Sequence, residues 1–256
     1  MLRSIEVLLA PAEFAVLPQR DLRQTVCVVF DVLRATSSMM MALAHGAAAV
    51  IPVADIAEAL AIRQRHPNVL LAGERNGLRI RAAPSGGVDF DLGNSPREFT
   101  PERVHGRTIV MTTTNGTRAL RACAGAKTTL VGTFFNLTAL EHWIEHAQSS
   151  NLLLVGSGTI EQAAYEDALA AGALADRVWP EGAGVEIADS AIMVRQLYRL
   201  AQDNLPAALE TARNGRRLLA NPELRDDVRF CSQCDLLSFV ALLQPDGTVL
   251  RSPLIS

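Results

Sequence analysis

Short apolar runs at residues 5–10, 26–30, 48–53, 69–72, 108–111, 129–131 and 152–155 punctuate the first two-thirds of the chain. Between them, residues 37–45, 56–65, 117–123, 139–147 and 162–173 carry apolar side chains at helical spacing. Strands that read as continuously apolar, such as Leu152-Leu153-Leu154-Val155, are those covered by helices on both faces. The alternation therefore predicts a three-layer α/β/α fold built on a mostly parallel sheet. After Gly184 the pattern turns helical through 187–202, 206–211 and 214–220. An apolar run at 236–243 then passes through Pro245-Asp246-Gly247 into a last strand around Val249. No Pro/Ser linker sets this helical C-terminal region apart, so residues 1–256 are expected to form a single domain with those helices packed on the sheet.

Composition narrows the partner. The chain has 256 residues, 49% hydrophobic, with 24 Lys+Arg against 27 Asp+Glu and a net charge of −3. With no basic block, neither nucleic acid nor an anionic membrane is an expected partner, which leaves a small molecule. Polar residues interrupt every apolar stretch before the roughly 18 needed to span a bilayer. Met1-Leu2-Arg3-Ser4 does not open a signal peptide, so the expected location is cytoplasmic. The apolar composition suits a homodimer. Cys27 and Cys123 lie in apolar or small-residue segments and read as buried thiols, and Cys231-Ser-Gln-Cys234 is a C-x-x-C without a second pair. His142-Trp-Ile-Glu145-His146 matches the inverted zinc-protease pattern but lacks a recognisable third ligand, so it reads as a solvated helix face.

Chemistry gathers where strands end. In open α/β sheets ligands sit beyond the carboxyl ends of the strands, where loops converge and helix N-termini offer free N–H groups. Asp31, Arg34 and Thr36 follow the second apolar run, Gly73-Glu74-Arg75-Asn76-Gly77 the fourth, and Thr112-Thr113-Thr114-Asn115-Gly116-Thr117 the fifth. Asn136 follows the sixth and Gly156-Ser157-Gly158-Thr159 the seventh. An acid at a strand tip, an Arg three residues on and a hydroxyl cluster at a helix start suit a metal ion and an anionic oxygen ligand. The Thr-rich loop offers hydroxyls and amides to an oxyanion, though the same residues also cap helices. Gly156-Ser-Gly-Thr has neither dinucleotide nor Walker spacing, so no nucleotide is expected. Asp89 and Asp91 suit ligands or a solvated turn, and Glu166 and Asp167 point about 100° apart on a helix start.

Together these motifs resemble the 2-phosphosulfolactate phosphatase family. The resemblance rests on Asp31-Val-Leu-Arg-Ala-Thr-Ser, Gly73-Glu-Arg-Asn-Gly77, Phe90-Asp-Leu-Gly-Asn-Ser-Pro96, Thr112-Thr-Thr-Asn-Gly-Thr117 and Tyr165-Glu-Asp167, and runs from about residue 5 to 240. The stretch around Asp226-Asp227 and Cys231 to Asp235 matches more loosely. The resemblance implies a Mg²⁺-dependent phosphoric monoester hydrolase that converts 2-phosphosulfolactate, a small anionic phosphoester, on the way to coenzyme M. Another small phosphoester, or phospholigand binding without catalysis, are the alternative readings. On this basis Asp31, Glu74 and Asp167 are the expected metal ligands, and Asp31, Arg34, Thr114 and Asn115 the expected catalytic groups. Thr36, Arg75, Asn94, Ser95, Thr113, Gly116, Thr117, Arg118 and Asn136 are expected to bind substrate. Leu33 occupies the position where haloacid-dehalogenase-type phosphatases place a second acid, so attack by water is expected ahead of a phospho-Asp31 intermediate.

Overall fold

The computed structural model describes residues 2–83, 85–147, 150–179 and 184–252. Its strands are β1 (Ser4–Leu8), β2 (Thr25–Phe30), β3 (Ala49–Pro52), β4 (Leu70–Arg75), β5 (Leu78–Arg79), β6 (Thr108–Thr112), β7 (Thr128–Gly132), β8 (Asn151–Gly156), β9 (Glu186–Ile187), β10 (Val240–Leu243) and β11 (Val249–Ser252). Its helices are α1 (Pro11–Phe14), α2 (Ala35–Ala44), α3 (Ile56–Arg65), α4 (Pro101–Val104), α5 (Gly116–Ala122), α6 (Leu137–His146), α7 (Tyr165–Arg177), α8 (Asp189–Ala201), α9 (Leu205–Thr211), α10 (Arg213–Leu219) and α11 (Asp226–Cys231). All strands join one mixed, mostly parallel sheet in the order β5-β4-β6-β3-β11-β10-β7-β2-β8-β1-β9, and the fold is three-layer α/β as the pattern predicted.

Every residue of β2 is buried, because helices cover both its faces and it pairs in parallel with β7 on one side and β8 on the other. A continuous core runs through β1, β2, β7 and β8 and includes Phe30, Met39, Met40, Phe134 and Phe135, all fully buried. A smaller cluster, with Leu71, Phe90 and Val110, lies between β4, β6 and α3. Helix starts follow local chemistry: Asp55 caps α3 by accepting from the Glu58 amide at 2.8 Å.

The sheet departs from the expected picture at its centre. The polypeptide returns after its helices as the antiparallel hairpin β10–β11, whose outer sides pair antiparallel with β7 and β3. It joins two sets of parallel strands, β4-β6-β3 and β7-β2-β8-β1-β9, which by this pairing run in opposite senses. The apolar run at 236–243 thus supplies an internal strand. Three boundaries also differ. Glu74 and Arg75 are the last residues of β4 because β5 pairs back on them, α7 starts at Tyr165 after a Thr159–Gln162 bridge, and residues 226–231 form α11 where no periodicity was read. No helix among the described residues is long and apolar enough to cross a membrane. Helix α8 packs on α7 and β1, and α9 on α7, so the helical region covers the sheet as expected.

Candidate active site

The loops after β2, β4, β6 and β8 meet in one cavity with α10, lined among others by Asp31, Arg34, Glu74, Thr113, Asn115 and Gly158. Asp31 stands at its floor, the first residue past β2. Its Oδ1 accepts from the Ala35 amide at 3.1 Å, which fixes the turn into α2, while Oδ2 has no hydrogen-bond partner among the described residues. Burial, with Glu74 and Glu166 nearby, pushes the Asp31 carboxyl up to about 7 despite the Ala35 amide and the Arg34 charge. Its neighbour across the loop is Gly116, the first residue of α5. A Cβ there would stand 2.6 Å from Asp31 Oδ2 and 2.8 Å from the Ala35 Cβ, so only glycine lets the two loops close on each other.

Glu74 is equally constrained. Its Oε1 accepts from the Thr114 amide at 3.0 Å and hydroxyl at 2.8 Å, and its Oε2 from the Gly77 amide at 2.6 Å. These bonds tie the β4–β5 turn to the loop after β6. Asn115 ties that loop in turn to the one after β8, donating from Nδ2 to the Gly158 and Ile160 carbonyls at 3.0 and 3.1 Å. The lining retains unused acceptors: Asn94 Oδ1, Thr113 Oγ1, Asn115 Oδ1 and Asn214 Oδ1 are buried without a protein partner. Orphaned buried polar atoms are rare and usually point to a missing ion, water or ligand.

Arg34 crosses the cavity wall almost fully buried. It donates from Nη1 to Asp227 Oδ2 at 2.7 Å and from Nη2 to the Gly77 carbonyl at 2.6 Å. Asp227, on α11 and wholly buried, also accepts from Ser95 Oγ at 2.7 Å and Arg97 Nε at 2.8 Å. The guanidinium is therefore held rigidly, with its charge compensated from the helical region.

Of the residues expected at the site, Asp31, Arg34, Glu74, Asn94, Thr113, Thr114 and Asn115 line the cavity, and Gly116 backs it. The others turn elsewhere, each for a local reason. Thr36 Oγ1 accepts from the Asp31 amide at 3.0 Å and so builds the turn beneath the acid. Thr117 Oγ1 donates back to the Thr113 carbonyl at the start of α5, and Asn136 accepts from the Thr133 amide and donates to the Val131 carbonyl, capping the short turn over 134–136 that precedes α6. Arg75 folds onto the Glu74 carbonyl and Thr112, Ser95 serves Asp227, and Arg118 pairs at the surface with Glu161. Asp167, expected as a metal ligand, is not among the residues that line the cavity; it accepts from the Val32 amide at 2.9 Å and the Gly158 amide at 3.1 Å, clamping the loops after β2 and β8 together. Burial, with Asp31 and Glu166 adjacent, holds its carboxyl well above the usual range. Asn214, Arg217 and Asp227 were not foreseen. All three come from the helical region, where no strand end marks a site; the Asp226-Asp227 pair in an otherwise Arg-rich stretch was the one available signal.

A family model described as 2-phosphosulpholactate phosphatase matches residues 14–246. The chain belongs to this family. Members are phosphoric monoester hydrolases. The chain is 39% identical over 219 residues to a protein of Synechococcus sp. (strain JA-3-3Ab) named "Probable 2-phosphosulfolactate phosphatase", covering 83% of this chain and 86% of the relative. Proteins of the same name from Pseudothermotoga lettingae and Caldanaerobacter subterraneus subsp. tengcongensis are 37% and 36% identical, over 93% and 91% of this chain and 97% and 93% of theirs. The segment from Asp31 to Arg217 that encloses the cavity lies wholly inside the matched region.

Proposed function

We propose that the protein hydrolyses 2-phosphosulfolactate to sulfolactate and inorganic phosphate with Mg²⁺ bound at Asp31 and Glu74, as a step towards coenzyme M. The observation that supports this most is the pairing, in one cavity, of a carboxylate raised to about 7 and unpartnered oxygens with a buried arginine. Asp31, Glu74 and the free amide oxygens form an all-oxygen donor set, which suits a hard divalent cation. No group of three His, Cys, Asp or Glu that could hold a metal occurs among the described residues, so the ion would have to be held by one or two carboxylates together with the substrate. When bound, Mg²⁺ would neutralise the phosphoryl oxygens and hold the attacking water.

The protein's own groups have separable tasks. Arg34, held by Asp227, faces the charge that grows on the phosphoryl oxygens, and the rigid pairing means it need not reorganise during the reaction. Thr113 Oγ1 is free to donate to an equatorial oxygen. Glu74, fixed by Thr114 and Gly77, keeps the β4–β5 turn closed on the Thr-rich loop. In the reaction water adds to phosphorus, the bond from phosphorus to the ester oxygen breaks, and the leaving alkoxide takes a proton.

Phosphate release from 2-phosphosulfolactate, measured with Mg²⁺ and after chelation, tests the reading. Release that stops on chelation and returns with Mg²⁺ supports it; release unaffected by chelation removes the metal, and no release from this substrate removes the assignment. Labelled phosphate retained stoichiometrically on Asp31 would replace attack by water with a phospho-enzyme.

A further inference from the structure

We propose that Arg217, on α10, is the specificity residue that binds the second anionic group of the substrate, the sulfonate or carboxylate carried beside the phosphoester. This rests on the functional reading above and goes beyond it in naming the group that separates such a substrate from an ordinary phosphoester.

The helix is anchored to the catalytic loops. Asn214 Nδ2 donates to Thr159 Oγ1 and Glu166 Oε1, both at 2.6 Å, so the first turn of α10 is tied to the loop after β8 and the start of α7. Next to it, Gly215 packs against α9 so closely that a Cβ would overlap the Leu209 carbonyl, which fixes the axis of α10. Arg217 lies three residues beyond Asn214, hence on the same face, and both line the cavity. Its guanidinium rests over Gly77, where an added Cβ would lie 3.5 Å from Nε. Gly77 is also the residue whose carbonyl accepts from Arg34 and whose amide donates to Glu74. Arg217 therefore sits one residue away from both the buried arginine and the fixed carboxylate.

What distinguishes Arg217 is that it is unspent. Arg34 is committed to Asp227, Arg75 to backbone and Thr112, Arg118 to Glu161, and Arg213 to Gln162. Arg217 makes no hydrogen bond or ion pair among the described residues, is exposed, and has Glu166, itself bonded to Asn214, as a nearby acid. The Arg217 guanidinium lines the same cavity as Asp31 and Glu74 with its donors unused by the protein, so it is available to an anion that the substrate brings. Its planar donor fork suits an oxyanion such as a sulfonate or carboxylate. The substrate class implied is a phosphoester carrying a further fixed negative charge within a few bonds of the ester carbon.

The test compares wild type with Arg217→Ala and Arg217→Lys on four compounds: 2-phosphosulfolactate, 2-phospholactate without the sulfonate, 2-phosphooxyethanesulfonate without the carboxylate, and ethyl phosphate without either. For Arg217→Ala, kcat/KM on 2-phosphosulfolactate should fall about 10- to 100-fold, mostly through KM, while ethyl phosphate changes less than about 3-fold; Lys should recover part of the loss. Whichever truncated compound escapes the penalty identifies the anion that Arg217 binds. Equal losses on all four compounds, or no loss on any, overturn the proposal. Calorimetric binding of sulfolactate reads the same contact without turnover. Wild-type binding weakened about 10-fold or more in Arg217→Ala, without hydrolysis of 2-phosphosulfolactate, would sink the catalytic assignment and keep the anion site; binding unchanged in the variant would sink the site alone.

Discussion

Replacing Asp227 with Asn removes one charge from a place where no solvent can substitute for it. Arg34 and Asp227 have side chains 2% and 0% exposed and are joined at 2.7 Å, and Asp227 also accepts from Ser95 and Arg97. Removing one partner of such a pair leaves the other charge buried and uncompensated, which costs about 3–5 kcal/mol. Spread over a domain of this size, that lowers the melting temperature by about 6–20 °C, at roughly 2–4 °C per kcal/mol. The gross attraction is much larger but is offset by the desolvation of both ions, so the pair itself contributes little net stability. Hence the double replacement Arg34→Met with Asp227→Leu should recover at least about half of the single-variant loss, because it removes both charges together. Urea unfolding of wild type, Arg34→Met, Asp227→Leu and the double variant measures the cycle, with Asp227→Asn alongside, and phosphate release measures the site. Asp227→Asn is expected to lose about 10²-fold in kcat as the guanidinium leaves its place, and the double variant to be stable but inactive. A loss below about 1 kcal/mol in Asp227→Asn, or a double variant less stable than either single one, would refute the account of the pair as a positioning device.

Two further outcomes follow from the same geometry. Gly116→Ala should keep the fold but displace Asp31, with kcat falling about 10²-fold; unchanged kcat would show that the contact between the two loops is loose. In the cation-free protein Asp31 holds its proton up to about 7, whereas in the unfolded chain it loses it near pH 4, so the folded state binds more protons between these values and stability falls as pH rises across that window. Asp31→Asn should flatten this slope in pH-dependent unfolding, and a slope identical to wild type would remove Asp31 as its source.

The sequence carried the floor of the site and concealed its wall. Asp31, Glu74, Thr113 and Asn115 were legible because each stands at the C-terminal end of a strand in a parallel set, where polar loop residues gather; that two oppositely running sets bring those loops to one cavity was not legible. Within the same motifs, Thr36, Thr117 and Asn136 proved to be builders of turns and caps. Ser, Thr and Asn serve both purposes with the same atoms, and only coordinates show whether a hydroxyl faces its own backbone or a cavity. Asp167 likewise keeps the expected residue type but uses both oxygens to clamp loops. Asp227 and Arg217 were illegible for another reason: their helices reach the cavity through tertiary packing, with no local pattern to announce it. The hairpin β10–β11 was readable as strand and turn, but not as the centre of the sheet, because pairing partners far apart in sequence leave no periodic trace.

That hairpin sets an order of events during synthesis. Strands β3 and β7 each present an open edge until β10 and β11 are made, and both edges belong to apolar sheets. A nascent chain that has already produced Asp31, Glu74 and the Thr-rich loop therefore holds two half-sheets that have not been joined, with unpaired edges of the kind that associate between molecules. Closure depends on contacts between residues nearly two hundred positions apart, Val50 with Val249, which makes it a slow, late step. Until β10 and β11 are made, the backbone groups along those two edges have no partner within the sheet, so the hairpin protects against edge-to-edge association as well as completing the sheet.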